Sequence, residues 1–286
     1  MNARLELRFD AAGSITDAGG SITRMRPGAQ QPPWRVIRAF PQAHGAALVH
    51  LHNVSGGVLA GDDLHLEIAV GPHARAQVTS TGATRLYRHR QGSPDSEQVT
   101  SISVAEGGLL EYLPDALIPF AGSRHRQSTR ITLAAGATMF GWEVVAPGRQ
   151  AMGERFRFDR LRLTTSIESP LGPMLLEDFL LEPAGASLAS PARLGDYTHT
   201  ATFYAIQVGR PTPDLLELER QLGEIAIRES RPGCTIWGTS ALTSDGVVVK
   251  GLSTSAHGIP ATLAGFWSAA RRFLLGDTPI APRKLK

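Results

Sequence analysis

Apolar and polar residues alternate with a period of two through the middle of the chain. The segment DLHLEIAV (63–70) places its aliphatic residues on one face, which is typical of a half-buried β-strand. Similar strands end at Val104 and Leu133, and each is followed by a turn and another apolar strand. The spacings from Val70 to Val104 and from Val104 to Leu133 are 34 and 29 residues, which indicates a degenerate repeat. Either stacked β-arches, which form a layered, β-helix-like body, or three ordinary hairpins of a sandwich satisfy this pattern.

Two helices are predicted in the C-terminal part of this mainly β chain. The first begins near Pro213, a residue suited to the first turn of a helix. Its apolar positions are Leu215, Leu218, Leu222 and Ile225. The second begins at about Pro260, and its apolar positions are Leu263, Phe266 or Trp267, Ala270 and Phe273. We expect one domain, 1–286, in which a proline-marked connection (183–196) joins a β-body of about 1–182 to a helix-containing part of about 197–286.

Composition narrows the class of protein. The content of 42% hydrophobic and 19% charged residues is ordinary for a globular domain, and no apolar run reaches membrane-spanning length. The single cysteine, Cys234, excludes a disulfide framework and a cysteine-cluster metal site, so we expect a cytoplasmic protein. The chain has 29 Lys and Arg and 26 Asp and Glu residues, and no block of basic residues is long enough for a nucleic-acid-binding arm.

The glycine-rich stretch SGGVLAGDD (55–63) resembles a phosphate-binding or calcium-binding loop in its glycines but lacks the ligand residues of either. A phosphate loop needs Lys and Ser or Thr after its last glycine, whereas Asp62 and Asp63 follow Gly61 and would repel phosphate. The alternating oxygen ligands of a calcium loop are missing too. We therefore expect Gly56, Gly57 and Gly61 to serve a close backbone approach or a turn with positive φ.

Several acidic residues stand inside otherwise apolar strands. They are Glu67, Glu111, Glu143, Glu177 and Asp178. A carboxylate at such a position is costly unless it is paired, hydrated or metal-bound, so either buried Arg–carboxylate pairs or a wet, acidic passage is expected. None of the hydrolase, zinc-protease or kinase motifs is present. An enzyme would have to be a β-sandwich hydrolase or lyase that uses a pair of these carboxylates.

Five motifs occur in the order found in one protein family. They are GGVLAGDDL, TSTGATRLYR (79–88), LEYLPDALIPFAG (110–122), GRQAMGERF (148–156) and FWSAARRFLLGDTPIAPRK. In this respect nearly the whole chain resembles the urease accessory protein UreD (UreH) family. The resemblance implies a layered β-body with two helices and a scaffold without catalytic activity. It also implies partners, namely the accessory protein UreF, the GTPase UreG and apo-urease, into which nickel is loaded.

The resemblance further implies a water-filled route for nickel, with no tightly bound cofactor. Asp62, Glu143 and Glu177 then become transient oxygen ligands, and Thr84 adds a neutral oxygen. A plain structural adaptor that carries no metal would differ only in the role of these acids. Copurification with urease subunits favours the accessory role, whereas turnover by the isolated chain favours the hydrolase or lyase.

Two structural expectations complete the sequence-based hypothesis. Arg149 and Glu154, five residues apart across a glycine-bearing turn, are expected to form a buried bidentate ion pair. The apolar faces of the two helices exceed what one β-body covers, so they are expected to form an exposed partner interface. The residues of that interface are Leu218, Leu222, Phe266 and Phe273.

Overall fold

The computed structural model describes residues 1–15, 21–185, 187–277 and 279, which form eighteen β-strands and two α-helices. The strands, in chain order, are β1 (Asn2–Ile15), β2 (Ser21–Gln30), β3 (Trp34–Arg35), β4 (Ala39–Pro41), β5 (Ala47–Asn53), β6 (Asp63–Val70), β7 (Arg75–Ser80), β8 (Thr84–Leu86), β9 (Ser96–Val104), β10 (Leu109–Leu113), β11 (Leu117–Pro119), β12 (Arg124–Leu133), β13 (Thr138–Val145), β14 (Arg160–Ser169), β15 (Gly172–Leu181), β16 (His199–Gln207), β17 (Thr235–Ala241) and β18 (Gly246–Ser253). The helices are α1 (Thr212–Glu229) and α2 (Ile259–Leu275). Residues 280–284, the end of the last quoted motif, lie outside the described residues.

The strands form two sheets that share one core. The first sheet has seven strands in the order β15-β14-β12-β9-β6-β1-β2. The second has eleven, with β17-β18-β16-β13-β10-β7-β5-β3 along its main path and β4, β8 and β11 beside it. Strands β6, β9 and β12 run parallel in the first sheet, and the strands that follow them, β7, β10 and β13, run parallel in the second. The chain therefore crosses from one sheet to the other at each turn.

This parallel arrangement decides between the two interpretations of the repeat. Val70 pairs in register with Val104, and Val104 pairs with Leu133. The three repeats are therefore stacked β-arches, because hairpins would pair the consecutive strands antiparallel. The prediction of a layered, mainly β fold with two C-terminal helices is confirmed.

The chain after the proline-marked connection continues the second sheet. Strand β16 pairs antiparallel with β13, and β18 pairs with β16. Helix α1 has a proline in its first turn and ends before Pro232, and Gly276, whose φ of 69° suits glycine, caps the C-terminus of α2. Among the described residues, no helix combines the length and the apolar character that a membrane span requires.

The apolar faces of the two helices cover the outer face of the second sheet. The prediction that these faces form an exposed partner interface is therefore wrong. Leu218, Leu222 and Phe266 are fully buried in a cluster with the sheet residues Phe140, Phe203 and Trp237, and Phe273 is partly buried against it. The ring of Phe266 stacks on Phe203 at 6.3 Å between centroids. Because the outer face of this sheet is itself apolar, it matches the helix faces and leaves no exposed patch at these positions.

Candidate functional site

A small cavity, here called the inner cavity, lies between the two sheets. It has a volume of ≈ 60 Å³, which corresponds to about two water molecules. Strands of the first sheet contribute hydroxyl and amide groups, and strands of the second sheet contribute a carboxylate and phenols. Its polar lining residues are Thr84, Gln98, Tyr112, Asp115, Gln127, Thr129, Glu143, Thr165 and Tyr204. These side chains place several oxygen atoms in a small space whose lining is otherwise apolar.

Glu143 on β13 carries one carboxylate of the inner cavity, and Asp115 carries another. The Glu143 side chain is half-buried by surface area. The Gln127 amide donates a hydrogen bond to the Glu143 carboxylate at 3.3 Å. Burial raises the pKa of Glu143 to about 7, the neighbouring Glu177 carboxylate adds to that rise, and the Lys250 ammonium opposes it. Burial likewise raises the pKa of the adjacent Tyr112 to about 12.

Glu177 on β15 lies beside this cavity and joins it to the surface. The Tyr204 hydroxyl, which lines the inner cavity, donates to Glu177 Oε2 at 2.8 Å. Glu177 Oε1 accepts the Lys250 ammonium at 2.6 Å, and the Lys250 side chain is 61% exposed. Burial raises the pKa of the Tyr204 phenol, as do the nearby Glu177 and Glu143 carboxylates. Tyr204, Glu177 and Lys250 therefore form a hydrogen-bonded chain from the wall of the inner cavity to solvent.

On its other side the inner cavity adjoins a second space, here called the outer cavity, of ≈ 270 Å³. The two share Thr84, Gln98 and Tyr112 in their linings. Gly56 and Gly57 line the outer cavity, and Gly56 has a φ of 80°. A Cβ on Gly57 would lie 2.4 Å from the Arg85 carbonyl oxygen, so only glycine allows this close approach. The glycine pair thus shapes the wall of the outer cavity.

Comparisons with known proteins identify the family of the chain. Residues 1–285 match the family model described as UreD urease accessory protein. A protein of Herpetosiphon aurantiacus named urease accessory protein UreD is 41% identical over 92% of this chain and 91% of its own. Proteins of the same name from Pseudomonas putida (31% identical, 99% and 93% covered) and Cenarchaeum symbiosum (33%, 90% and 89%) are also similar. The chain belongs to the UreD family of urease accessory proteins.

In this UreD chain the predicted metal-passage residues fall into two groups. Thr84 and Glu143 line the inner cavity, and Glu177 contacts its wall through Tyr204. Asp62 lines neither cavity; it is 4% exposed and closes its own turn, where its carboxylate accepts the Leu59 N–H at 2.8 Å. Gly61, with a φ of 76°, belongs to the same turn. The structure therefore does not bring Asp62 to the other three residues.

Several polar residues of the site escaped the sequence-based search, although a signal for them exists. Gln98 and Thr129 are buried, and in their strands they share the inward parity of Ile102 and Ile131. The same alternation that predicts the core therefore marks these positions as polar residues on the apolar face. Tyr204 carries no such signal, because tyrosine is at home in a strand core.

The Arg149–Glu154 pair forms, but it is more exposed than predicted. Arg149 Nε donates to Glu154 Oε2 at 2.9 Å, and a second contact joins Nη2 to Oε1. Arg149 is 39% exposed, with its guanidinium 4.2 Å from the Phe120 ring centroid, whereas Glu154 is 12% exposed. The Ala121 N–H donates to Glu154 Oε2 at 3.1 Å. Solvent therefore screens the pair, and the expectation of a buried ion pair is corrected.

Because of this exposure, we expect Glu154→Gln to lower the thermal midpoint only slightly. Gln keeps an acceptor for the Ala121 N–H, whereas Glu154→Ala removes it and should cost more. The Arg149 hydrogen bond lowers the pKa of Glu154, so its contribution is present above the ordinary pKa and is lost in acid. Thermal unfolding of both variants at pH 7 and pH 3 checks this; a large loss in Glu154→Gln would contradict it.

The raised pKa of Glu143 predicts a pH-dependent stability. A carboxyl whose folded pKa exceeds its unfolded value stabilises at low pH, and that stability is lost as the pH rises through the folded pKa. From the ordinary 4.5 to about 7 this corresponds to about 3 kcal/mol. Relative to Glu143→Gln, the wild type should therefore lose stability between pH 4.5 and 7. Denaturant titrations across this range measure the difference. Glu106→Gln, on an exposed turn, should run parallel to the wild type, and a parallel Glu143→Gln curve would refute the assignment.

Proposed function

We propose that this chain serves in urease maturation as a cytoplasmic, non-catalytic scaffold between apo-urease and the UreF-like and UreG-like accessory proteins. The family match over residues 1–285 carries the proposal, since the curated relatives are named urease accessory proteins. Their similarity extends over most of both chains, so the accessory role applies to the whole protein. The low cysteine content favours the cytoplasmic location.

We further propose that the two cavities pass Ni²⁺ as cargo. The route runs from the outer cavity past Thr84 to Glu143 and on to Glu177. Its ligands are oxygens, which hold a transition metal less tightly than thiolates or imidazoles and so allow release. Within the part of the chain that the structure describes, no three His, Cys, Asp or Glu side chains are grouped as a metal site. A series of weak contacts suits a protein that transfers Ni²⁺, whereas a protein that stores the ion needs a tight site.

The titration of Glu143 fits this role. With a pKa of about 7, the carboxyl is partly protonated at neutral pH. A divalent cation binds the ionised form and therefore displaces the proton. Nickel transfer should accordingly slow as the pH falls below about 7, in step with the protonation of Glu143. A proton on the empty site also lowers the cost of burying the carboxyl between transfers.

One observation favours the alternative hydrolase or lyase. A carboxyl with a pKa near 7 beside a second carboxylate is a typical general acid–base pair. The inner cavity is too small for it, however: ≈ 60 Å³ admits water-sized groups but not an organic substrate. An adaptor that carries no metal is the remaining option, and it would leave these acids without a function.

The test is reconstitution of urease from its purified apo-subunits, the accessory proteins of the same organism, nickel, bicarbonate and GTP. With the chain present we expect copurification with apo-urease and a gain of nickel and of urea hydrolysis. Without it, the urease should remain low in metal. Equal activation in both samples would reject the accessory role, and turnover by the isolated chain would support the enzyme instead.

A further inference from the structure

The two stacked sheets do not end together. Strand β15 is the last strand of the first sheet, and its Glu177 contacts Tyr204 on β16 and Lys250 on β18. The second sheet continues beyond this point to β17, which pairs with β18. Strand β17 and part of β18 therefore extend past the edge of the first sheet, by about one strand spacing of 4.8 Å or more.

The extended part is covered on one face only. Trp237 on β17 is buried against Phe266 of α2, which identifies the helix-covered face. The next residue towards the N-terminus, Ile236, points the opposite way and is 49% exposed. It lies across from Leu252 on β18, which packs against the core between the sheets. We call this open face, made by Ile236, Gly238, Lys250 and Leu252, the shelf.

The edge of β15 that borders the shelf is long and apolar. Among the described residues, this ten-residue strand pairs only with β14, so the backbone groups of its other edge are unpaired by sheet partners. Leu176 and Leu180, on its outward face, are 79% and 47% exposed. Asp178 between them is held by a bidentate contact with Arg162 on β14. Exposed edges of this kind pair with added strands unless charges or bulges protect them.

We propose that an extended, acidic segment of a partner protein binds here as an eighth strand of the first sheet. Its backbone would pair with β15, and its inward apolar side chains would cover Ile236 and Leu252. Its outward side chains would extend the Leu176 and Leu180 surface. A carboxylate of the segment would face Lys250, which is the exposed cation of the shelf.

Geometry excludes a second copy of this chain as the occupant. Two β15 strands that pair antiparallel are related by a two-fold axis perpendicular to the joined sheet. Both second sheets would then lie on the same side, and the β17–β18 extension of each copy would occupy the space of the other's body. A single added strand meets no such obstacle.

The charge of the segment connects this surface to the proposed nickel route, and this step rests on the proposed function. In the isolated chain, the Lys250 ammonium forms an ion pair with Glu177 Oε1 at 2.6 Å. A partner carboxylate that draws the ammonium away would free Glu177 to receive a cation from the direction of Glu143. Docking and opening of the route would thus be coupled at one lysine.

The experiment is hydrogen exchange of residues 172–181 and 235–241 in the isolated chain and in its complexes with apo-urease and with each accessory protein. The amides of β15 that do not bond to β14 should exchange slowly only in one of the complexes, and exchange of residues 235–241 should slow there too as the shelf is covered. Leu176→Glu and Ile236→Glu remove apolar contact area and repel an acidic segment, so they should weaken that complex at least about tenfold, and Lys250→Met should weaken it and reduce its salt dependence. The matched control Leu216→Glu, on α1 at 54% exposure, should bind normally. Equal melting temperatures of all four variants confirm folding.

Each other outcome overturns the inference in a recognisable way. If complexes form but β15 gains no protection, the accessory role is retained and the docking site is rejected. If no complex forms, both proposals are rejected. Protection of the outer-edge β15 amides in the isolated monomer means that the chain covers its own edge, and protection of them that grows with concentration alongside a dimer means that a second copy does.

Discussion

Replacing Arg271 on α2 with Met is expected to destabilise the protein by about 3–5 kcal/mol. Arg271 is buried and contacts the Glu111 carboxylate through Nη1. The Trp267 indole and the Gln77 amide also donate to Glu111, at 2.9 and 2.8 Å. Without the guanidinium, these neutral donors face an uncompensated buried charge. Equilibrium unfolding in denaturant at pH 8 measures the loss.

Two comparisons make that result specific. Arg272→Met removes the same charge from the next, exposed position of the helix and should have little effect. Burial raises the pKa of Glu111 and Arg271 opposes that rise, so in Arg271→Met the carboxyl should protonate more readily. A folded pKa above the unfolded one gives stability at low pH that is lost as the pH rises. The loss in Arg271→Met should therefore be smaller at pH 5 than at pH 8. Equal losses in the two arginine variants would contradict the ion-pair role.

The buried helix faces show where the sequence-based prediction failed although its signal was present. Strands of the first sheet alternate, as in DLHLEIAV, because their outer face meets solvent. Strands of the second sheet read as continuous apolar runs, as in TMFGWEVV, which indicates burial on both faces. Those runs required a covering layer, and the two helices are the only amphipathic elements predicted. The alternating strands thus predict the arches. The continuous apolar runs also predict that the helices cover the second sheet, but the sequence-based hypothesis placed the helix faces at a partner interface instead.

The candidate site was predictable in part, for a physical reason that differs between residues. The inward position of Glu143 follows from strand periodicity. Glu177 lies on β15, which pairs antiparallel with β14 at the edge of the first sheet, and the arch repeat does not predict that position. Asp62 differs because an aspartate after Gly61 has a local partner, the Leu59 N–H, at 2.8 Å. Sequence spacing does not reveal whether a carboxylate will satisfy a turn or face a cavity. The exposure of Arg149 could not be predicted from the sequence either, because the burial of a loop residue depends on which distant elements pack over the loop.

Glu143→Gln combined with Glu177→Gln is expected to lower the nickel content of reconstituted urease about tenfold or more, while the accessory complex still assembles. Gln preserves size and hydrogen bonding but removes the charge that attracts a divalent cation. Either single change should be milder, because the remaining carboxylate and the Tyr204 hydroxyl still offer oxygens along the route. Metal per urease active site, measured after a fixed activation time, is the readout.

The position of Asp62 supplies the control for that experiment. Asp62→Asn removes one carboxylate from the same chain but at a turn away from both cavities, so its nickel loading should match the wild type once folding is verified. Tyr204→Phe, which keeps the ring and removes the donor to Glu177, should fall between the wild type and the double variant. Equal loading by the wild type and the double variant would mean that Glu143 and Glu177 do not conduct nickel, and it would favour an adaptor role for the chain. A loss in Asp62→Asn as large as that in the double variant would instead return the aspartate to the metal route.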